Sequence, residues 1–540
     1  MPVILTTRAL SDRFTQARQQ KPLSWQISPF NPVYRRSKYG KGNCFLVALV
    51  CCLGTPTIKI TEEYYMAWFL ICVGILLSGY FTYGKFVEKV FGPMPERPTP
   101  ATTSADGVDY VPMSNKKIYL IQLLNIAGLG PIFGPILGAL YGPVAMLWIV
   151  IGCIFAGAVH DYFSGMLSVR SNGGSVPNVV GEQLGVIARH FMNIFAVILL
   201  LLVGIVFVLG PAKLLANLAD MGVTFWVAVI FAYYIIATIV PIDKIIGRFY
   251  PFFGALLLFM SIGLVIGLAV SDHSFYSQGL NFADNLHPTD LPLWPLLFIT
   301  IACGAVSGFH ATQSPLMARC MQNESAGRFI FYGAMIGEGV IALIWCTLGL
   351  SFYDNTEALN ATLASGGPAA VVHEVSTSLL GSVGGVLAVL GVIVLPITSG
   401  DTAFRSARLI VADFLKLPQQ VMSRRLLIAV PMFIIGFIVS KAEFGVIWRY
   451  FGWANQTTAM IMLWAAAAYL AKEGKLHWIC TIPAAFMTAV TITYLANATI
   501  GFNLPMQIST VLGIGATVVA LVAFLWKFKA ASRVSLQTDL

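Results

Sequence analysis

A chain of 540 residues with 57% hydrophobic and only 11% charged side chains is too apolar for a soluble fold. Its net charge of +9 is not a nucleic-acid footprint, because Lys and Arg are scattered through short loops rather than gathered beside base-stacking aromatics. In a membrane chain the same excess marks cytoplasmic loops.

Residues 1–42 are polar and basic and hold no apolar core of a signal peptide, so they read as a solvated cytoplasmic tail. Fourteen apolar stretches follow, each a candidate span of roughly 20 residues. They lie near 43–58, 64–84, 118–139, 142–168, 191–210, 222–240, 249–270, 293–313, 329–350, 383–402, 426–440, 453–471, 477–497 and 507–526. Residues 85–117, with Pro93, Pro95, Pro98 and Pro100, read as a cytoplasmic linker. The segment 271–292 reads as an extracytoplasmic loop, and 527–540 as a short cytoplasmic tail.

With both ends inside, 29 Lys and Arg fall on cytoplasmic segments and four on the opposite side. That asymmetry supports an even number of spans in this register.

Two spans are interrupted. The third contains Ala127-Gly128-Leu129-Gly130-Pro131-Ile132-Phe133-Gly134-Pro135-Ile136-Leu137-Gly138. Pro removes a backbone donor and clashes with the preceding turn, and Gly does nothing to hold the helix. The eighth contains Ser307-Gly308-Phe309-His310-Ala311-Thr312-Gln313-Ser314-Pro315. In lipid, freed backbone groups are tolerated only where protein or a polar cavity covers them, and paired interruptions point to a transporter binding site. A kinked helix with Gly130, Gly134 and Gly138 on a close-packing face is the plainer reading.

The breaks lie five spans apart, so their helices run in opposite directions. That is the arithmetic of a five-plus-five inverted repeat, 118–270 and 293–471, with two helices before (43–84) and two after (472–526). The expected fold is an all-α polytopic membrane protein of LeuT-like layout. The expected substrate contacts are Gly128, Gly130, Gly134, Ser307, Gly308, His310, Thr312 and Gln313.

Ionisable groups inside a bilayer are costly, and each is a functional candidate. His160 and Asp161 could relay protons or simply pair near the inner face. Glu338, in Gly337-Glu338-Gly339, is far from either loop and could carry a proton or be structural. Thr398-Ser399-Gly400-Asp401-Thr402 closes the tenth span, and its oxygens suit a small cation or proton. Asp401 could instead cap a turn and pair with Arg405. Trp448 to Gln456 reads as an aromatic belt anchoring the outer interface, with Arg449 as its cation.

Enzyme signatures are absent: no dinucleotide fingerprint, Walker Gly-Lys-Ser/Thr, HExxH or GxSxG occurs. The nine cysteines include no CxxC pair and read as packing residues, so no metal or cofactor is expected.

Seven blocks carry a resemblance: DYVPMS (109–114), IAGLGPIFGPILGALYG (126–142), GAVHDYFSGMLSVRSNGGS (157–175), SGFHATQSPLMARCMQNE (307–324), YGAMIGEG (332–339), LPITSGDTAFRSARLI (395–410) and WRYFGWANQTTAM (448–460). In order and together they resemble the carbon starvation protein A family. The resemblance implies a bacterial inner-membrane secondary transporter of the amino acid–polyamine–cation superfamily, taking up peptides, or pyruvate with a proton, when carbon runs short. Some members carry adjacent histidines before the first break, where this chain has Ile121-Gln122-Leu123-Leu124.

The expected partners are therefore a small substrate, a coupling proton or sodium ion, and the bilayer. A membrane-embedded nutrient sensor is the other reading of the same architecture.

Overall fold

A computed structural model describes residues 57–538 apart from 108, 220, 240, 241 and 420. The tail 1–42 and nearly all of the expected first span lie outside the described residues.

The described residues form helices and no strands. In chain order, leaving aside the short helices Pro100–Thr103, Val176–Leu184 and Thr356–Gly366, they are α1 (Thr57–Phe81), α2 (Tyr83–Phe91), α3 (Asn115–Ile126), α4 (Gly130–Gly138), α5 (Val144–Arg170), α6 (Val186–Leu218), α7 (Val223–Ile239) and α8 (Ile242–Val270). Then come α9 (Leu293–Thr300), α10 (Gly308–Ala318), α11 (Gly333–Ser351), α12 (Pro368–Leu415), α13 (Met422–Val439), α14 (Phe444–Lys472), α15 (Trp478–Asn497) and α16 (Met506–Thr538). Among the described residues nine helical stretches are long and apolar enough to cross a membrane, and α3 with α4 forms a further span bent by 46°. The chain is a multi-pass membrane protein. Helices prevail because in hydrocarbon every backbone N–H and C=O must bond within its own segment.

The distribution of side chains is that of a membrane bundle. Ile187, Ile194, Leu258, Val511, Val519 and Trp526 face outward, while Gln122, His160, Asp161, His310, Gln313, Glu338 and Asn455 are buried. Such inward polarity is expected where lipid, rather than water, is the outer solvent.

Two segments gain structural detail. Thr398–Thr402, read as closing the tenth span, sits within α12, whose helix runs on to Leu415. Gly381, at φ +69°, bends this helix earlier, where only Gly adopts the left-handed backbone cheaply. The segment after α2, read as a linker, is tied down. Arg170 donates to Gly92 O at 2.9 Å, Met94 N to Glu324 Oε2 at 2.8 Å, and Asn323 Nδ2 to Pro95 O at 3.1 Å. Arg170 and Glu324 form a 3.0 Å ion pair at the centre of these contacts, under the Phe91 ring.

Candidate functional site

The two interrupted helices meet. The helix α3 ends as Ala127 N reaches back to Leu123 O, and α4 starts at Gly130-Pro131, where a missing N–H costs nothing in the first turn. The second break runs from Ile301 to Ser307 and turns at Gly304, φ +89°. A Cβ on Gly130 would lie 2.3 Å from both Cβ and Sγ of Cys303, and one on Gly134 would lie 3.0 Å from Thr300 O. A Cβ on Gly138 would strike Ile301 at 2.3 Å. The glycines of the first break thus form the surface on which the second break rests. The Trp148 indole donates to Ile301 O at 3.0 Å and holds the unwound chain there.

Beside this junction runs a chain of ionisable groups. His160 Nδ1 lies 2.8 Å from Asp161 Oδ1, and the other oxygen, Oδ2, lies 2.9 Å from His310 Nδ1. On the far side of the ring, His310 Nε2 lies 3.2 Å from Glu338 Oε2. All four side chains are fully buried. Helix α5 supplies His160 and Asp161, α10 supplies His310 and α11 supplies Glu338. A group of this kind is stable only when its charges compensate one another, since an isolated buried ion costs several kcal/mol. At one end His310 pairs with Glu338, yet neither oxygen of Glu338 completes a hydrogen bond of good geometry.

The N-terminus of α10 has its own partner. The Asn455 side chain, from α14, accepts the Phe309 N–H at 2.7 Å and the Ser307 hydroxyl at 3.2 Å. Its amide nitrogen lies 3.7 Å from Cys303 Sγ, which is itself 3.3 Å from Ser307 Oγ. Gly308 admits this approach, since a Cβ there would lie 2.3 Å from Asn455 O. Thr312 and Ser314 donate to the Phe309 and His310 carbonyls of their own helix, at 2.6 and 3.0 Å. Gln313 donates to Thr312 Oγ1 at 3.2 Å and leaves Oε1 without a hydrogen bond.

A second polar segment touches the first break from α12. Ser399 Oγ donates to Leu124 O at 3.2 Å, one turn before the break, and lies 3.4 Å from where a Gly128 Cβ would be. Asp401 Oδ2 is 3.7 Å from Arg405 Nη2, and Tyr234 of α7 abuts Gly400. Thr398 donates to Leu395 O at 2.8 Å. At the end of α10 remote from the break, a polar cavity of about 560 Å³ is lined by Tyr110, Arg189, Arg319, Asp413 and Lys416, among others.

The structure therefore brings Gly130 and Gly134 against the second break, and His160, Asp161, His310 and Glu338 into one chain. Thr398, Ser399 and Asp401 stand apart from that chain, with Gly128 between α12 and Phe207. Sequence reasoning missed Asn455 and Cys303. Asn455 stood within a stretch read as an interface belt, although the run Asn455-Gln456-Thr457-Thr458 is polar for a membrane interior.

The family model described as "Carbon starvation protein CstA" matches residues 65–224, 209–360 and 347–494. An uncharacterized membrane protein of Haemophilus influenzae is 55% identical over 56% of this chain and 95% of its own length. The peptide transporter CstA of Escherichia coli is 26% identical over 82% of each chain. The pyruvate/proton symporter BtsT of Escherichia coli is 29% identical over 54% of this chain and 50% of its own length. Among solved structures, the Eremococcus coleocola manganese transporter superposes with a TM-score of 0.50 at 13% identity, covering 79% of this chain and 99% of that one. At that identity the likeness is one of fold alone. The family model covers most of the chain, in agreement with the sequence motifs, and the chain belongs to the carbon starvation protein CstA family.

Proposed function

We propose that this chain is a secondary active transporter that imports a small carbon nutrient, a short peptide or pyruvate, by proton symport when carbon is scarce. The observation that carries the reading is the contact of two broken helices, Gly130 against Cys303, beside a fully buried ionisable chain. Broken helices at a repeat interface present free backbone groups to a substrate inside the bilayer.

In this reading the third to seventh spans and the eighth to twelfth form two inverted five-helix repeats within fourteen spans. The protein lies in the inner membrane of a bacterium, with both termini cytoplasmic. It carries its substrate unchanged rather than as an enzyme. The substrate sits between the two breaks and contacts Gly128, Gly130 and Gly134 of one and Ser307, Gly308, His310, Thr312 and Gln313 of the other. The proton is taken up at Asp401, beside Thr398 and Ser399. Arg405 and Arg408 on the same helix, and Tyr233 and Tyr234 on α7, are the charged and titratable groups that face it. His160, Asp161 and Glu338 hold the buried charge against which substrate and coupling ion are balanced. The names of the relatives, peptide transporter and pyruvate/proton symporter, support both candidate substrates.

The experiment is uptake of labelled pyruvate and of a labelled dipeptide into proteoliposomes under an imposed pH gradient. Accumulation stimulated by outside acid supports the reading. Binding without accumulation would indicate a sensor.

A further inference from the structure

Three atoms converge at the junction of the breaks. A thiol from Cys303, an imidazole nitrogen from His310 and a carboxylate oxygen from Glu338 all lie within 4.8 Å of one another. All three residues are buried, and Glu338 and Gln313 each retain side-chain oxygens without a hydrogen bond of good geometry. We propose that Cys303, His310 and Glu338 form a transition-metal site whose open position receives the chelating end of the transported substrate.

The donor set argues for the class of ion. Sulfur, imidazole and carboxylate together suit a borderline-soft divalent ion such as Zn²⁺ or Co²⁺, whereas Mg²⁺ and Ca²⁺ prefer all-oxygen sites. Around such an ion the ligand atoms stand about 3.3–3.8 Å apart in a tetrahedron. The observed spread therefore closes onto a metal with a shift of about an ångström, the scale of a side-chain adjustment. His310 is already oriented as a ligand. Asp161 engages Nδ1 at 2.9 Å, so Nε2 points toward Glu338 at 3.2 Å. A carboxylate behind a histidine is the usual outer partner of a metal-binding imidazole, fixing its tautomer and ring plane. His160 in turn fixes Asp161, at 2.8 Å.

Three protein ligands leave a fourth position, and expansion to five-coordination supplies the second one a chelating substrate needs. The unwound backbone around Gly130, in contact with Cys303, is the surface next to it. Pyruvate offers a carboxylate and a keto oxygen that close a five-membered chelate ring. A short peptide offers its amino nitrogen and first carbonyl oxygen in the same geometry. One metal would then explain how a single architecture handles two chemically unlike nutrients. This part of the inference rests on the transport reading. The metal site itself does not.

The test uses the full-length protein purified in detergent and loaded with Co²⁺. The wild type should bind one Co²⁺ per chain with a near-ultraviolet sulfur-to-cobalt band. Cys303→Ser should lose that band, Glu338→Gln should weaken binding at least tenfold, and Cys480→Ser, remote from the site, should keep both. Pyruvate or dialanine should change the visible cobalt spectrum of the wild type. In proteoliposomes a permeant chelator should lower uptake at least tenfold, and added Zn²⁺ should restore it. Absence of stoichiometric cobalt binding, or an unchanged band in Cys303→Ser, would overturn the site. Full uptake by chelator-stripped protein would overturn substrate bridging while leaving the transporter reading standing. Cobalt binding without any uptake would overturn the transporter reading and leave the metal site standing.

Discussion

Asp161 and His310, 149 residues apart, are joined by a 2.9 Å contact between Oδ2 and Nδ1. This contact ties α5 to the half-helix α10 that follows the second break. It makes the two halves of the chain share one buried charge system. Asp161→Asn keeps the shape but removes the charge, leaving two histidines without their common partner. Breaking a buried pair by removing one member typically costs about 3–5 kcal/mol. The expected result is a marked fall in thermal stability together with loss of uptake, measured by unfolding in detergent and by transport in proteoliposomes. Unchanged stability would show that the chain carries no charge to compensate.

Gly130 leaves no room for a side chain. A methyl group there meets Cys303 Cβ and Sγ at 2.3 Å, while the Cys303 Cα is 3.8 Å away. Gly130→Ala should therefore destabilise the protein by about 1–3 kcal/mol through overpacking. The second substitution Cys303→Gly removes both clashing atoms and should restore folded yield in the double variant. Fluorescence-detected size-exclusion chromatography reads this directly. Failure of the double variant to recover would mean that the breaks do not rest on each other as described.

Asn455 replaces the missing turn at the start of α10. Asn455→Ala leaves the Phe309 N–H buried without an acceptor, at a cost of about 1–3 kcal/mol. Stability should fall, and uptake should fall with it, because the second break loses its anchor to α14. An Ala variant as stable as wild type would show that another group takes over the acceptor role.

At the end of α5, Arg170 and Glu324 hold the segment that follows α2. Glu324→Ala should free Met94 and its neighbours, making the exposed Glu96–Arg97 bond a better substrate for endoproteinase Glu-C. Limited proteolysis should give faster cleavage there, and equal rates would contradict the tie.

Much of this was legible residue by residue. Pro131, Pro135 and the flanking glycines mark the first break because their chemistry cannot continue a helix, and the charge asymmetry of the loops supports the register. His160, Asp161, His310 and Glu338 stand out because ionisable groups are rare in apolar spans. Their assembly was not legible, since nothing local says that positions 161, 310 and 338 share one point. Cys303 read as packing because a lone cysteine in an apolar run carries no signal until its neighbours in space are known. That α12 runs on past Thr398 to Asp401 was not legible, because the run looks polar enough to finish a helix, yet its hydroxyls bond helix carbonyls.

The central claim is coupled transport through the junction of the two breaks. It is tested most directly by measuring pyruvate and dipeptide accumulation in proteoliposomes with outside acid, for wild type and Asp401→Asn, alongside substrate exchange at equal pH on both sides. The account expects concentrative uptake by the wild type, and at least a tenfold loss of that uptake with retained exchange in the variant. Uptake by Asp401→Asn that still follows the pH gradient, or wild-type protein that never accumulates either substrate, would contradict it.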